Sequence, residues 1–157
     1  MKKLLIIALV FMCLLGCKGS GGSASGGGSK ITCTMIDSDG SNQEVIITHK
    51  GEKLTFVDMT TVIPTDEESA EFMLGILQGF VVGIFGQIKG FDVKAELNDA
   101  KDTITMKMSV DFVNLDYAAL VAIAEGFGGD ASTTDFKENM TLTDYRAQLE
   151  SDGFTCK

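Results

Sequence analysis

An α+β fold, an antiparallel sheet with helices packed on one face, is what three features of this 157-residue chain predict. Between Asp102 and Phe112, Ile104, Met106, Met108 and Val110 face one way while Thr103, Thr105, Lys107, Ser109 and Asp111 face the other. A period of two marks a half-buried strand. Strand-like segments are joined by turns of hairpin length, such as Lys50-Gly51-Glu52-Lys53 and Asn98 to Lys101. Helical segments come after runs of strands, and the expected order is β-β-β-α-β-β-α-α.

The elements follow in turn. Ile31 to Asp37 and Glu44 to Lys50 are rich in Ile, Val and Thr and flank the turn-rich Ser38-Asp39-Gly40-Ser41-Asn42, which reads as a hairpin. Leu54 to Val62 is a third strand, in which Leu54, Phe56, Asp58 and Thr60 alternate with Thr55, Val57, Met59 and Thr61. Pro64 ends it. Thr65-Asp66-Glu67-Glu68 matches a capping box, with Thr65 as the cap and Glu68 reaching back, and the helix is expected from about Asp66 to Gln87. Phe91 to Leu97 and Asp102 to Phe112 form a second hairpin. Asp116 to Glu125 is a short apolar helix closed by Gly126, Gly128 and Gly129, and Thr143 to Asp152 is another, with Thr143 as N-cap and Gly153 as the stop. Phe154 to Lys157 either returns as a strand or covers an edge.

Ahead of this domain lie two segments of different composition. Lys2 and Lys3 precede the apolar run Leu4 to Leu15, the pattern of an export signal and too short for a permanent span. Leu14-Leu15-Gly16-Cys17 resembles the lipobox of bacterial lipoproteins, which implies cleavage after residue 16 and a diacylglycerol on Cys17. Between Lys18 and Lys30 every residue but Ala24 is Gly or Ser, a flexible tether with a mean reach on the order of 20 Å. The division is therefore 1–16 signal, 17–30 lipidated cysteine and tether, 31–157 one extracytoplasmic domain.

Charge narrows the partners. The chain carries −9, but all 22 acidic residues and only nine of the 13 basic ones lie in Ile31 to Lys157, so the domain carries −13. Nucleic acid is excluded as a partner by this surplus, and general attraction to an anionic membrane surface with it. The expected membrane contact is the acylated Cys17 alone.

Candidate chemistry is sparse. Cys33 and Cys156 bracket the domain; in an exported protein the pair reads most simply as a disulfide, and two separate thiols are the alternative. Phe72 to Ile88 is 17 residues without a charge, with Gly75, Gly79 and Gly83 along one stripe. One reading is a central helix whose glycine stripe packs on the sheet while Phe and Val contact the later helices. The other is a contact helix for lipid, a partner or a hydrophobic ligand through Phe72, Gly75, Gly79, Phe80, Gly83 and Phe85. Asp37 to Asn42 has the wrong glycine and glutamate spacing for a calcium loop and reads as a turn. Met106 and Met108 read as core filling rather than copper ligands. His49, the only histidine, excludes any site needing two, and no phosphate loop, dinucleotide fingerprint or nucleophile elbow is present. No catalytic residue, metal or cofactor is expected.

With the lipobox at Cys17, the turn Lys50-Gly51-Glu52-Lys53, the run Thr103-Ile104-Thr105-Met106 leading to Val110-Asp111-Phe112, and the ending Leu149 to Gly153-Phe154, the chain resembles the YehR-like family of small bacterial lipoproteins. That resemblance implies a mixed architecture of antiparallel strands and helices, and it supplies no catalytic residues. Two departures stand out: the apolar Phe72 to Ile88 helix and the Cys33 and Cys156 pair. The expected function is a membrane-anchored, non-enzymatic binding module of the cell envelope. A carrier of lipid or another hydrophobic ligand is the alternative, and an envelope hydrolase the third.

Overall fold

A computed structural model describes residues 28–126 and 141–157. The expected signal, Cys17, most of the tether, and Gly128 and Gly129 lie outside the described residues. Six strands form one antiparallel sheet: β1 (Ser29–Ile36), β2 (Asn42–Lys50), β3 (Lys53–Pro64), β4 (Phe91–Leu97), β5 (Thr103–Asp111) and β6 (Thr155–Cys156), in the spatial order β4-β5-β3-β2-β1-β6. The expected fold class and element order hold, with β6 as the returning end of the chain. β1 begins two residues ahead of the boundary expected at Ile31.

Alternation sorts the sheet into two faces. Cys33, Val45, Met59, Met108 and Val93 lie in one cross-strand row, and Ile31, Ile47, Val57, Val110 and Phe91 in the next. All but the half-buried Ile31 are buried, under the helices. The opposite face carries Thr34, Glu44, Thr60, Lys107 and Lys94, and there Ser109 Oγ donates to Asp58 Oδ1 at 2.7 Å. In β3 the simple alternation expected from Leu54 breaks, because a bulge opposite Thr48 and His49 makes Thr55 the extra residue. Leu54 and then Val57, Met59 and Ile63 consequently all point inward.

β3 and β4 run parallel with β5 between them, joined by a helical crossover. The crossover is α1 (Glu67–Ile76), a π-helical segment (Leu77–Val82) and the single turn α2 (Gly83–Phe85), not the uniform helix expected to Gln87. The buried and half-buried positions explain the change. Ala70, Met73, Leu74 and Leu77 keep the three-and-four spacing of an α-helix, whereas Leu77, Val81 and Phe85 are four apart, wider than the ~3.6 residues of an α turn. The wider π turn holds that stripe on the sheet. Gln78 Nε2 in the segment donates to the Ala95 carbonyl of β4 at 3.2 Å.

The caps differ from expectation by small, explicable shifts. Asp66, not Thr65, caps α1 by accepting from Ser69 N at 2.9 Å, because Thr65 N is still held by the Asp102 carbonyl as an extension of the sheet. Helix α4 (Leu142–Ser151) is capped by Thr141 rather than Thr143, with Thr141 Oγ1 accepting from Asp144 N at 3.1 Å. Thr143 is engaged elsewhere: its amide and hydroxyl both donate to Glu52 Oε2 in the β2–β3 turn. Helix α3 (Tyr117–Gly126) starts where Asp116 accepts from Ala119 N. Gly153, at φ 102°, ends α4 as expected. Gly90 has φ 84°, and a Cβ there would fall 2.6 Å from Leu115 Cα, so this corner needs glycine twice over.

Cys33 and Cys156 are disulfide-bonded and sit opposite each other in the β1–β6 pair. The bond closes a separation of 123 residues and holds a two-residue strand against β1. Closing a loop of that length is worth up to about 5 kcal/mol in the chain-entropy model. Replacing both cysteines with alanine is expected to lower the unfolding free energy by ~2–5 kcal/mol in urea titrations. In the same assay Asp66→Ala should cost ~1 kcal/mol and Thr65→Ala only a few tenths, the reverse of what a Thr65 cap would give.

Candidate functional site

The outer face of the crossover is the most unusual surface among the described residues. Phe72 is 75% exposed and Phe80 51%. Gly75, Gly79 and Gly83 are exposed beside them. A Cβ built on Gly75 or Gly79 would meet nothing within 4 Å, and on Gly83 only the helix's own Gln78 carbonyl at 3.6 Å. The glycine stripe therefore faces outward. This corrects the reading in which it packs on the sheet: the sheet-facing stripe is Ala70, Leu77, Val81, Phe85 and Ile88, whose side chains fill the space that close glycine contact would have left.

Phe85 belongs to that inner stripe. It is buried, with its ring centroid 5.7 Å from that of Phe91 on β4, so it supports the helix from below and is no part of the outer surface. Phe72, Gly75, Gly79, Phe80 and Gly83 are brought together on the outside.

The face has a polar margin at its start. Glu67 and Glu68 occupy the first turn, and Glu71 Oε1 receives Lys101 Nζ at 2.6 Å from the β4–β5 turn. The ammonium beside it holds the Glu71 carboxyl below the usual carboxylate range, chiefly through the hydrogen bond and then through charge, and the Lys101 amine is raised by the same partner. Asp102 is lowered too, by donors from Asn98 and Thr103.

Glu67 to Phe85 is long and apolar enough to cross a membrane, by length and composition only. Its inner stripe is already used by the sheet, and lifting it into lipid would expose the whole Met106, Met108 and Val93 face.

The remaining candidates take structural places. His49 Nδ1 donates to the Gly51 carbonyl at 2.8 Å within the β2–β3 turn. Asp37 and Asp39 are occupied by the β1–β2 turn, where Ser38 N and Ser41 N donate to their carboxylates and Gly40 has φ 86°. Met106 and Met108 are buried in the core. Sequence reasoning passed over Gln43 and Thr61, both buried among the inward side chains of the sheet. The signal was a glutamine in the inward phase of Gln43-Glu44-Val45-Ile46-Ile47, where alternation calls for an apolar residue.

No protein-family model matches the chain, and no curated protein matches it. Two solved structures share its fold. One is the NMR structure of a protein from Streptococcus pneumoniae TIGR4, 16% identical, with a TM-score of 0.56 over 87% of this chain and 88% of that one. The other is the NMR structure of the Escherichia coli YehR protein, 19% identical, with a TM-score of 0.56 over 85% of this chain and 93% of that one. The resemblance carried by the sequence motifs is thereby supported at the level of fold.

Stability measurements separate the two sides of the crossover. Phe72→Ser should change the unfolding free energy by less than ~0.5 kcal/mol. Leu77→Ala should cost ~2–5 kcal/mol. Gly75→Ala should raise stability by ~1 kcal/mol, since the glycine lies in a helix interior and touches nothing.

Proposed function

We propose that the chain is a bacterial lipoprotein anchored through Cys17, whose acidic extracytoplasmic domain is a non-enzymatic binding module. Its contact surface is the outer face formed by Phe72, Gly75, Gly79, Phe80 and Gly83. One observation carries the reading: Phe72 is left 75% exposed beside a stripe of glycines whose outward side is open. A glycine in a helix interior costs ~1 kcal/mol relative to alanine, and Phe72 leaves most of its apolar ring in water. Flat glycine positions between two phenylalanines suit close approach by an apolar partner.

Anchoring is supported by the lipobox-like Leu14-Leu15-Gly16-Cys17, and export by the Cys33–Cys156 disulfide, a bond that persists in oxidising compartments. The acidic body keeps the domain from adsorbing to anionic lipid by charge, which leaves the apolar face available to a specific partner. The carrier reading uses the same helix.

Cells fed an alkyne fatty acid should label the wild-type chain and not Cys17→Ser, and the variant should leave the membrane fraction. A photoreactive residue replacing Phe72 should give adducts in intact cells, while one replacing Lys107 on the polar face of the sheet should give none. Label retained by Cys17→Ser, or equal adducts at both positions, would contradict the reading.

A further inference from the structure

The tether enters the domain at one end of the sheet. A Cβ on Gly28 would fall 2.8 Å from Thr48 Cγ2 and 2.9 Å from the His49 carbonyl oxygen, and Ser29 pairs with His49, so the chain arrives beside the β2–β3 turn. Four lysines share this end: Lys30 opposite Thr48, Lys50 and Lys53 directly opposed in the turn, and Lys89, whose carbonyl accepts from Asp116 N beyond the end of β5. All four are exposed, and among the described residues none of them has an ion pair. Like charges set directly opposite each other weaken a hairpin, so Lys50 and Lys53 do nothing for the turn they close. The carboxylates at this end are Glu52, Asp111, Asp116 and Asp144, and each accepts a hydrogen bond from its own surroundings.

The far end has the opposite character. A Cβ on Gly40 would lie 3.6 Å from Pro64 Cγ, and Thr65 N donates to the Asp102 carbonyl, which brings the β1–β2 turn, the start of α1 and the β4–β5 turn together there. Residues 37–41, 65–71 and 98–102 hold eight carboxylates against one lysine, Lys101, and Glu71 already binds it. The twelve residues of β3 separate the two ends by roughly 35 Å, at ~3.3 Å per residue. That is about four Debye lengths at physiological ionic strength.

We propose that the tethered end is a foot: Lys30, Lys50, Lys53 and Lys89 rest on the anionic phospholipid headgroups of the bilayer that holds Cys17, and the acidic end points away from it. The net charge of −13 still opposes adsorption of the body as a whole, and its uneven distribution makes one posture the least opposed. Upright, the lysines lie within the range of the surface potential and the eight carboxylates of the far end lie outside it. The chain between Cys17 and Gly28 has a mean reach on the order of 20 Å, shorter than the domain, so it does not favour turning the far end down. The crossover runs from the far end back to the foot, so in this posture its outer face looks along the membrane, toward neighbours rather than into lipid. The inference rests on the anchoring reading and adds a membrane-facing surface to it.

The test uses the full chain, purified from membranes and reconstituted into phosphatidylcholine vesicles with or without phosphatidylglycerol, a fraction of the lipid carrying a headgroup quencher. A genetically encoded fluorescent residue replaces Ala118, exposed near the foot, or Ser38, exposed in the β1–β2 turn at the far end. With phosphatidylglycerol at low salt, quenching at position 118 should be at least threefold that at position 38. Omitting the anionic lipid, raising the salt, or introducing Lys30→Glu/Lys50→Glu/Lys53→Glu/Lys89→Glu should each at least halve that ratio. Lys50→Gln/Lys53→Gln, confined to one exposed turn, keeps the comparison if the fourfold variant does not fold, and should lower the ratio in the same direction. Equal quenching at the two positions, or a ratio indifferent to anionic lipid, salt and the lysine variants, would overturn the foot and leave the anchor standing. Failure of the wild-type chain to float with the vesicles would overturn the anchoring reading, and the foot with it.

Discussion

Every helix in this domain is placed by one constraint: five neighbouring strands turn their apolar side chains to the same side. Once register sets Cys33, Val45, Met59, Met108 and Val93 in a row, that face has to be covered, and the polar face with Asp58, Thr60 and Lys107 does not. The crossover from β3 to β4 lies over the β4 and β5 side, while α4 is tied to the other edge through Gly153 and β6. The π segment is a consequence of the same demand. Leu77, Val81 and Phe85 reach the sheet only if the helix widens by a residue, and Gln78 then meets the Ala95 carbonyl.

What the fold demands of the crossover is its inner stripe alone, and the sequence supplies apolar residues all round. The surplus is concentrated in two exposed phenylalanines and three glycines, residue types that weaken a helix or leave apolar surface in water. Acidic residues are confined to the first turns, where Glu67 and Glu68 favour the helix dipole and Glu71 is tied to Lys101. The acidic margin and the apolar face are therefore separate in sequence and in space.

The sheet was legible because its signal is local. Alternation in Thr103 to Asp111 and the turn glycines Gly40 and Gly51 are readable without knowing what lies opposite. Cap positions were legible only to within two residues, since Thr65 and Thr143 satisfy the local pattern equally well and lose to partners distant in sequence, Asp102 and Glu52. The outward glycine stripe was misread for a related reason. On an all-apolar helix periodicity cannot say which side is inside, so the choice depends on which residues the sheet leaves room for. The shift from spacings of three and four to spacings of four at Leu77 was present in the sequence, but it becomes a signal only once the buried stripe is known. Gln43 and Thr61 were overlooked because each has an ordinary strand-compatible side chain; only their joint burial makes them unusual.

The two edges of the sheet bear on where contacts form. An edge strand offers unpaired backbone groups to other chains unless it is covered, charged or short. β1 is covered by β6, which is only two residues long, is fixed by the disulfide and is extended by reciprocal hydrogen bonds between Thr32 and Lys157. β4 carries Asp92, Lys94 and Glu96 at its outward positions and has the Ala95 carbonyl already bonded to Gln78. Both edges thus discourage strand addition. The uncovered face of the sheet is mainly polar, with Ile36 exposed at the end of β1. The outer side of the crossover is the described surface on which two large exposed apolar side chains, Phe72 and Phe80, share one element.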